Sequence, residues 1–211
     1  MTKLSIGKKV GILGLVMLLV ACAPVTSENN NRYQLTESGK MVPKKTGPKH
    51  LSLLVMQPVA LDGYDTEQML YVNKPFQVNA FANNSWMSPP ATMLLPLVIR
   101  SIESTHYFLA VASDLNTSKT EYRVESALIR LQQNFLVKPS QLQLVMQVML
   151  IHSIDSRVVA ADTIYESIPC SKDTPLGGVL AANIATRQLT SRVAHFVVDH
   201  VKRDQASMRS A

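Results

Sequence analysis

The sequence contains few cysteines and no long run of basic residues, and both shortages exclude classes of protein. Two cysteines among 211 residues rule out a small disulfide-stapled domain and a cysteine-based zinc cluster. Once Lys3, Lys8 and Lys9 are set aside, 18 basic side chains face 15 acidic ones, a net charge of +3. After those three lysines no Lys or Arg run exceeds two, so a dedicated nucleic-acid binder is also excluded.

Other missing patterns narrow the class further. No repeat or heptad runs through the chain, which excludes collagen, coiled-coil and low-complexity proteins. A Gly-rich phosphate loop is also missing, because Gly177-Gly178 lacks the lysine and the preceding strand that such a loop needs. The sequence is therefore that of a globular protein without an evident nucleotide site.

The N-terminus has the pattern of a signal peptide. Lys3, Lys8 and Lys9 precede an uncharged apolar block, Val10 to Ala21. Twelve helical residues span roughly 18 Å, which is too short for a hydrocarbon core of about 30 Å. We therefore predict that residues 1–21 are a signal peptide. The remaining 190 residues suffice for one domain.

The apolar block ends in Leu19-Val20-Ala21-Cys22, which resembles the lipobox of bacterial lipoproteins. The resemblance implies cleavage before Cys22, a diacylglycerol on its thiol and a further acyl chain, such as palmitate, on its new amine. Two or more chains hold a protein stably on a bilayer. Ala23, where an aspartate would signal retention, resembles an address for the periplasmic face of the outer membrane. The alternative is an ordinary signal peptide, cut after Ala21 or Ala23, with an incidental cysteine.

The rest of the chain divides into a tether, one domain and a tail. Residues 22–32 are mostly polar and predict a flexible tether. Residues 33–202 carry the strand and helix patterns, and residues 203–211 predict a frayed polar tail. The basic stretch from Glu37 to His50 predicts a loop, with contact to anionic lipid headgroups as the alternative.

Periodicity predicts an α+β fold, in which two main helices pack on an antiparallel or mixed sheet. One predicted helix has Ser88 as its N-cap and Pro96 inside it. The other has Thr174 as N-cap and Pro175 at its first position. The predicted strands are Tyr33–Leu35, Leu51–Pro58, Met69–Asn73, Phe76–Ala80, Tyr107–Ala112, Tyr122–Phe135, Leu142–Leu150 and Val158–Tyr165.

The alternation of apolar residues along the strands, and their spacing along the last helix, also predict which side chains share a face. Ala127, Ile129 and Leu131 are predicted to share one face of their strand, and the even-numbered residues from Leu142 to Leu150 another. The stripe predicted for the last helix consists of Leu176, Val179, Leu180, Ile184, Leu189, Val193, Phe196, Val197 and Val201.

A series of short motifs follows the lipobox in order: Tyr33-x-Leu35, then Val55, Pro58 and Val59, the Tyr64-Asp65 turn, Trp86 and Pro89 before a helix, Tyr122-x-Val124, and finally Leu189, Val193 and Phe196. In this order and spacing the chain resembles the ABC-type transport auxiliary lipoproteins, the PqiC-like family, over residues 33–202. Two departures stand out. The stretch Lys40–Lys49 is longer and more basic, and Thr66 stands where the family often has an arginine.

The resemblance implies a non-enzymatic protein without a cofactor. Its expected partner is the MCE-domain protein of a lipid ABC transporter, and a ring-like homo-oligomer is plausible. It would dock the distal end of a lipid tunnel. The alternative is a structural envelope lipoprotein that assists assembly of another outer-membrane or secretion complex.

The segment from Phe76 to Ile99 contains no charged residue, which is typical of an interface centre. We therefore predict partner contacts by Trp86, Met87, Met93 and Leu94. The alternative is that these side chains belong to the core, because an apolar helical stripe usually faces its own sheet.

Residues with catalytic or ligating chemistry are few. On a strand, His152 would point away from Ser153 and Asp155, so we predict no triad there. His195 and Asp199 share a helical face beside His200, without an evident third metal ligand. A hydrolase that uses His152 or His195 is a weaker alternative. Cys170 is predicted to be a buried thiol, with an intermolecular disulfide as the alternative.

Overall fold

A computed structural model describes residues 30–40, 50–113 and 120–210. The predicted signal peptide, Cys22 and most of the basic stretch lie outside these ranges. Within them the chain forms one sheet with two helices, so the predicted α+β class is confirmed. The elements are β1 Asn31–Tyr33, β2 Ser52–Val55, β3 Val59–Ala60, β4 Gln68–Lys74, β5 Gln77–Trp86, α1 Pro90–Glu103, β6 Ala110–Ala112, β7 Tyr122–Asn134, β8 Gln141–His152, β9 Arg157–Pro169 and α2 Pro175–Ser210.

Strand β7 organises the sheet. On one side it pairs antiparallel with β8, which pairs antiparallel with β9. On the other side three short strands, β2, β3 and β4, follow one another along β7, all parallel to it. Beyond them, β6 pairs with β2, β5 with β4, and β1 with β5. The sheet is mixed because the long meander supplies antiparallel pairs and the short strands supply parallel ones.

The predicted faces of β7 are partly wrong. A register shift between Leu128 and Arg130 interrupts the pairing with β8. Leu128 and Leu131 are therefore the core residues, at 0% and 3% exposure, and Ile129 is only half-buried. A bulge of this kind puts one extra residue in a strand and reverses the alternation beyond it. In β8, which keeps its alternation, the five predicted residues from Leu142 to Leu150 are all buried.

Helix α1 begins at Pro90, and Pro89 is its N-cap residue without a side-chain cap. The predicted cap by Ser88 is wrong. Two consecutive prolines have no backbone N–H, so the helix start has fewer donors that need a partner. Pro96 lies inside the helix, as predicted. The helix buries Leu94, Val98 and Ile102, which recur at the spacing of one apolar face.

Helix α2 begins as predicted, because the backbone N–H of Gly177 donates a 3.1 Å hydrogen bond to Oγ1 of Thr174. Its first turns, however, present a different face. Leu176, Leu180 and Ile184 are 52%, 53% and 38% exposed. The residues that face the sheet there are small: Gly177, Gly178, Ala181, Ala182 and Ala185. A Cβ on Gly178 would meet Oε1 of Gln133, so a larger residue there would require the Gln133 side chain to shift, whereas glycine allows the close helix–sheet approach.

Both predicted boundaries of the domain shift. Asn31 and Arg32, assigned to the tether, belong to β1. The frayed tail was wrong for residues 203–210, because α2 continues to Ser210 and Asp204 is buried. Tertiary contacts of that aspartate, not local propensity, hold the last turns. No helix in the described ranges is long and apolar enough to cross a membrane.

Candidate functional site

Of the four predicted partner-binding residues, two are buried and two are at least partly exposed. Trp86, the last residue of β5, is 3% exposed, and Leu94 in α1 is 0% exposed. These two side chains belong to the core, so the alternative left open by the sequence accounts for them. Met87 is 46% exposed, and Met93 is partly buried against the core. A partner could therefore contact Met87 and part of Met93 without unfolding the domain.

Strand β1 holds the backbone around Met87. The N–H of Met87 donates to the carbonyl of Tyr33 at 2.7 Å. Nη2 of Arg32 donates to the carbonyl of Met87 at 3.0 Å and to Oε2 of Glu67 at 2.8 Å. Both charged side chains are about half exposed, so the ion pair contributes little to stability. The hydrogen bond from Arg32 to the Met87 carbonyl is positional, because it joins β1 to the segment that leads into α1.

A second surface, which the sequence analysis did not identify, is a groove of about 300 Å³ on the sheet. We call it the methionine groove. It is lined by Met56, Gln57, Val59, Glu125, Ser126, Ala127, Gln147 and Met149. Val59 is 68% exposed. Methionine side chains are flexible and polarizable, so they adapt to apolar partners of varied shape.

The groove remains open because the helices occupy the opposite face of β7. Tyr122 of β7 contacts Asp204 of α2, and Gln133 of β7 contacts Gly178. Glu125 and Ala127 alternate with the core residues Val124 and Leu128, so they face the other way. Sequence analysis missed the groove because Met56 and Val59 meet Met149 only through the pairing of β2, β3 and β8 with β7.

The single acidic residue of the groove is paired, since Oε1 of Glu125 accepts a 2.8 Å hydrogen bond from Nε of Arg123. Gln57, on the rim, donates from Nε2 to the carbonyl of Ala91 at 3.1 Å. This bond ties the β2–β3 connection to the first turn of α1, four residues after Met87. The groove thus combines an apolar lining with a rim fixed by hydrogen bonds, an arrangement suited to binding.

His152 and Asp155 do meet, contrary to the expectation from strand geometry. Nδ1 of His152 lies 2.7 Å from Oδ1 of Asp155, because β8 ends at His152 and residues 153–156 form a turn. The hydrogen bond from His152, together with the backbone N–H of Arg157, lowers the pKa of Asp155 to about 2.

The His152–Asp155 pair makes no hydrogen bond with the neighbouring serine that could act as a nucleophile. Oγ of Ser153 is buried without a hydrogen-bond partner among the described residues, so no serine–histidine contact exists there. The His152 ring packs edge-on against Tyr122, with the ring centroids 5.3 Å apart. Nucleophilic catalysis needs a hydroxyl within reach of the base, and the geometry around His152 is that of a structural contact.

The histidines of α2 are held by their own helix. Nδ1 of His195 donates to the carbonyl of Ser191, and Nδ1 of His200 to that of Phe196, both at 2.8 Å. Across residues 30–40, 50–113 and 120–210, no group of three or more His, Cys, Asp or Glu is placed to hold a metal ion. The Nδ1 atoms of both histidines are therefore engaged within α2.

Cys170 lies directly after β9 and is 3% exposed, in agreement with the predicted buried thiol. Burial raises the pKa of this thiol above its ordinary value, against a weaker opposing effect of a hydrogen bond with Ser140. A buried thiol with a raised pKa reacts slowly because the thiolate is the reactive form. Cys170 therefore has a structural role as part of the buried core.

Comparisons with known proteins identify solved structures with the same fold. A crystal structure of a protein from Xanthomonas campestris, of the DUF330 family, superposes with a TM-score of 0.75 at 22% identity, covering 83% of this chain and 99% of that one. A second crystal structure, of an uncharacterized protein, has a TM-score of 0.64 at 16% identity and covers 80% and 98%. These TM-scores show a shared fold.

A search among curated proteins finds no match to the chain. A family model does match it, over residues 33–194, nearly all of the folded domain: that of the ABC-type transport auxiliary lipoprotein component. The chain belongs to the ABC-type transport auxiliary lipoprotein family.

Proposed function

We propose that this protein is a non-enzymatic auxiliary component of an ABC/MCE-type lipid transport system between the two membranes of the envelope. Residues 1–21 are removed as a signal peptide, and Cys22 carries the acyl chains. The protein sits on the periplasmic face of the outer membrane, where it docks the MCE-domain protein of the transporter.

The observation that carries the docking role is the methionine groove. It is an open apolar surface in a family of transport auxiliary lipoproteins, and its exposed wall, Val59, is 68% accessible. Buried apolar contacts at the centre of an interface supply most of its binding energy. Gln57, which lines the groove, donates a hydrogen bond to the carbonyl of Ala91, four residues after Met87, which the sequence singled out. We assign the partner surface to the groove together with Met87.

The anchor and its membrane address rest on the lipobox. Leu19-Val20-Ala21-Cys22 ends an apolar block after a basic start, and Ala23 matches the outer-membrane sorting pattern. Replacement of Cys22 by Ala removes the acylated thiol. We expect that variant to lose acyl labelling and to leave the membrane fraction. Mass spectrometry that finds an unmodified Cys22 in the wild-type protein would refute the anchor.

Docking is tested by co-purification of the full chain with the MCE-domain protein of the same organism. Val59→Asp and Met149→Asp place a charge in the groove, and we expect each to reduce capture about tenfold or more, the size of an interface hot spot. Ile154→Asp is the matched control, because Ile154 is also apolar and exposed, at 78%, and lies in the β8–β9 turn away from the groove.

Two results would overturn the docking proposal. One is failure of the wild-type protein to capture the MCE-domain protein. The other is equal capture by the groove variants and by Ile154→Asp, with all of them folded by circular dichroism. Capture that survives Cys22→Ala in solution would separate docking from anchoring, since the groove does not depend on the acyl chains.

A further inference from the structure

Two hairpin turns form an apolar tip at one end of the sheet. The β4–β5 turn carries Phe76, fully exposed, and Val78, 52% exposed, follows as the second residue of β5. The β7–β8 turn carries Leu136 and Val137, at 48% and 44% exposure. We call these four residues the hairpin tip. Large apolar side chains gathered on turns are unusual for a surface that faces only water.

The two turns are held side by side. Val72 pairs with Asn134 where β4 meets β7, and the N–H of Phe135 donates to the carbonyl of Val72 at 2.8 Å. Below the tip the rings of Tyr71, Phe81 and Phe135 pack together, with centroid separations of 4.5, 5.8 and 6.3 Å. The exposed residues therefore project from a rigid, aromatic-packed base.

The backbone at Phe76 is strained, although the Phe76 side chain is not buried. Its φ is 64°, in the left-handed region that glycine adopts freely and that other residues occupy at a cost. Turns in which proline precedes such a position usually place glycine or asparagine there. Here Pro75 precedes a phenylalanine whose side chain is fully exposed, so the strain is not offset by core packing.

The charges around the tip have one dominant sign. Lys74 ends β4 beside Phe76, and Lys138 follows Val137 in the other turn. Asp173 accepts a 2.8 Å hydrogen bond from the N–H of Ser140; hydrogen bonds from Ser140, and to a smaller extent the charge of Lys138, lower its pKa. Apolar side chains flanked by lysines match a bilayer surface with anionic headgroups.

The position of β1 favours the same partner. β1 runs parallel to β5, with Asn31 level with Asn84, so Asn31 is the end of β1 that lies nearer to Gln77 and the tip. Nine residue steps separate Cys22 from Asn31, a reach of at most about 30 Å. The seven steps of β5 from Asn84 to Gln77 span about 24 Å. An acylated Cys22 is thus within reach of the plane of the tip.

We propose that the hairpin tip inserts into the headgroup region of the bilayer that holds the acyl chains of Cys22. This inference rests on the proposed anchor. Together the lipid anchor and the tip hold the domain at two places, which orients the sheet relative to the membrane. Met87 and the methionine groove lie away from the tip along the sheet, so an upright orientation presents both toward the periplasm.

The test reconstitutes the lipidated full chain, carrying Phe76→Cys, into vesicles of phosphatidylethanolamine and phosphatidylglycerol. An environment-sensitive dye on residue 76 reports its surroundings, because Cys170 is buried and Cys22 is acylated. We expect a blue shift and a loss of quenching by iodide in vesicles. A dye at Leu136→Cys should respond equally. Ile154→Cys, at the other end of the sheet, should remain quenched.

Three outcomes would overturn parts of this proposal. A dye at 76 or 136 that stays quenched on protein that co-sediments with the vesicles overturns the tip but leaves the anchor intact. Protein that fails to co-sediment overturns the anchor and the tip together. Protection that already exists in the Cys22→Ala protein in buffer, without lipid or detergent, overturns the membrane contact in favour of a second copy of this chain as the occupant.

Discussion

The phenolic oxygen of Tyr122 donates a 2.8 Å hydrogen bond to Oδ2 of Asp204. This contact joins the first residue of β7 to the last turns of α2. The other carboxylate oxygen accepts a 2.9 Å contact from Nη1 of Arg157, and Nε2 of Gln205 donates to the Tyr122 hydroxyl. The C-terminal turns of the helix are therefore held by a buried carboxylate with two partners, one of which, Tyr122, also accepts from Gln205.

Replacement of Asp204 by Asn is expected to destabilise the domain by about 2 kcal/mol, because a buried charge-assisted pair loses its ion. Tyr122→Phe should cost about 1 kcal/mol, the net value of one hydrogen bond. Urea unfolding followed by circular dichroism measures both. Asp199→Asn, an exposed change on the same helix, is the control and should stay within about 0.5 kcal/mol. Equal stability of all three variants would contradict the role of this contact.

The same carboxylate predicts sensitivity to acid. Burial would raise the pKa of Asp204, but the contacts with Arg157 and Tyr122 outweigh it and lower that pKa; the pKa of Asp155 falls to about 2. Groups with a lowered folded-state pKa stabilise the fold above their unfolded value of about 3.9 and lose this stabilisation as the pH falls. We expect the urea midpoint to drop between about pH 4 and 2, and to drop less in Asp204→Asn.

The split among the predicted interface residues is tested by truncation. Leu94→Ala should lower the free energy of unfolding by about 3 kcal/mol, the usual cost of a cavity at a fully buried leucine. Met87→Ala, at an exposed position, should cost less than about 1 kcal/mol. Thermal or urea unfolding measures the pair. A small loss at Leu94 with a large loss at Met87 would show that the assignment of core and surface is reversed.

Some features were predictable because they depend on neighbours in the chain. The Thr174 cap needs only Gly177 three residues later, and the alternation of β8 needs no partner to be read. Other features depended on distant residues. The bulge at Leu128 reverses the alternation of buried and exposed residues in the second half of β7. The approach of Gly178 to Gln133 turns Leu176, Leu180 and Ile184 outward.

In the candidate surfaces, too, some features follow from neighbours in the chain and others depend on distant residues. The charge-free segment around Trp86 indicated an apolar surface, but burial depends on what packs against it, and Trp86 and Leu94 lie in the core. Proximity of His152 to Asp155 required the turn after β8. The methionine groove required Met56 and Met149 to meet across β7, although they are 93 positions apart in the sequence.

By itself the sequence determined the elements of the fold, the family resemblance and the lipobox that predicts anchoring, since each follows from residue types at short spacing. The tertiary structure decided which apolar residues remain exposed. Exposure is settled when sheet, helices and turns pack, because burial depends on the whole set of neighbours and a local pattern shows only those nearby in the chain. That packing buries Leu94 and leaves Phe76 and Val59 accessible.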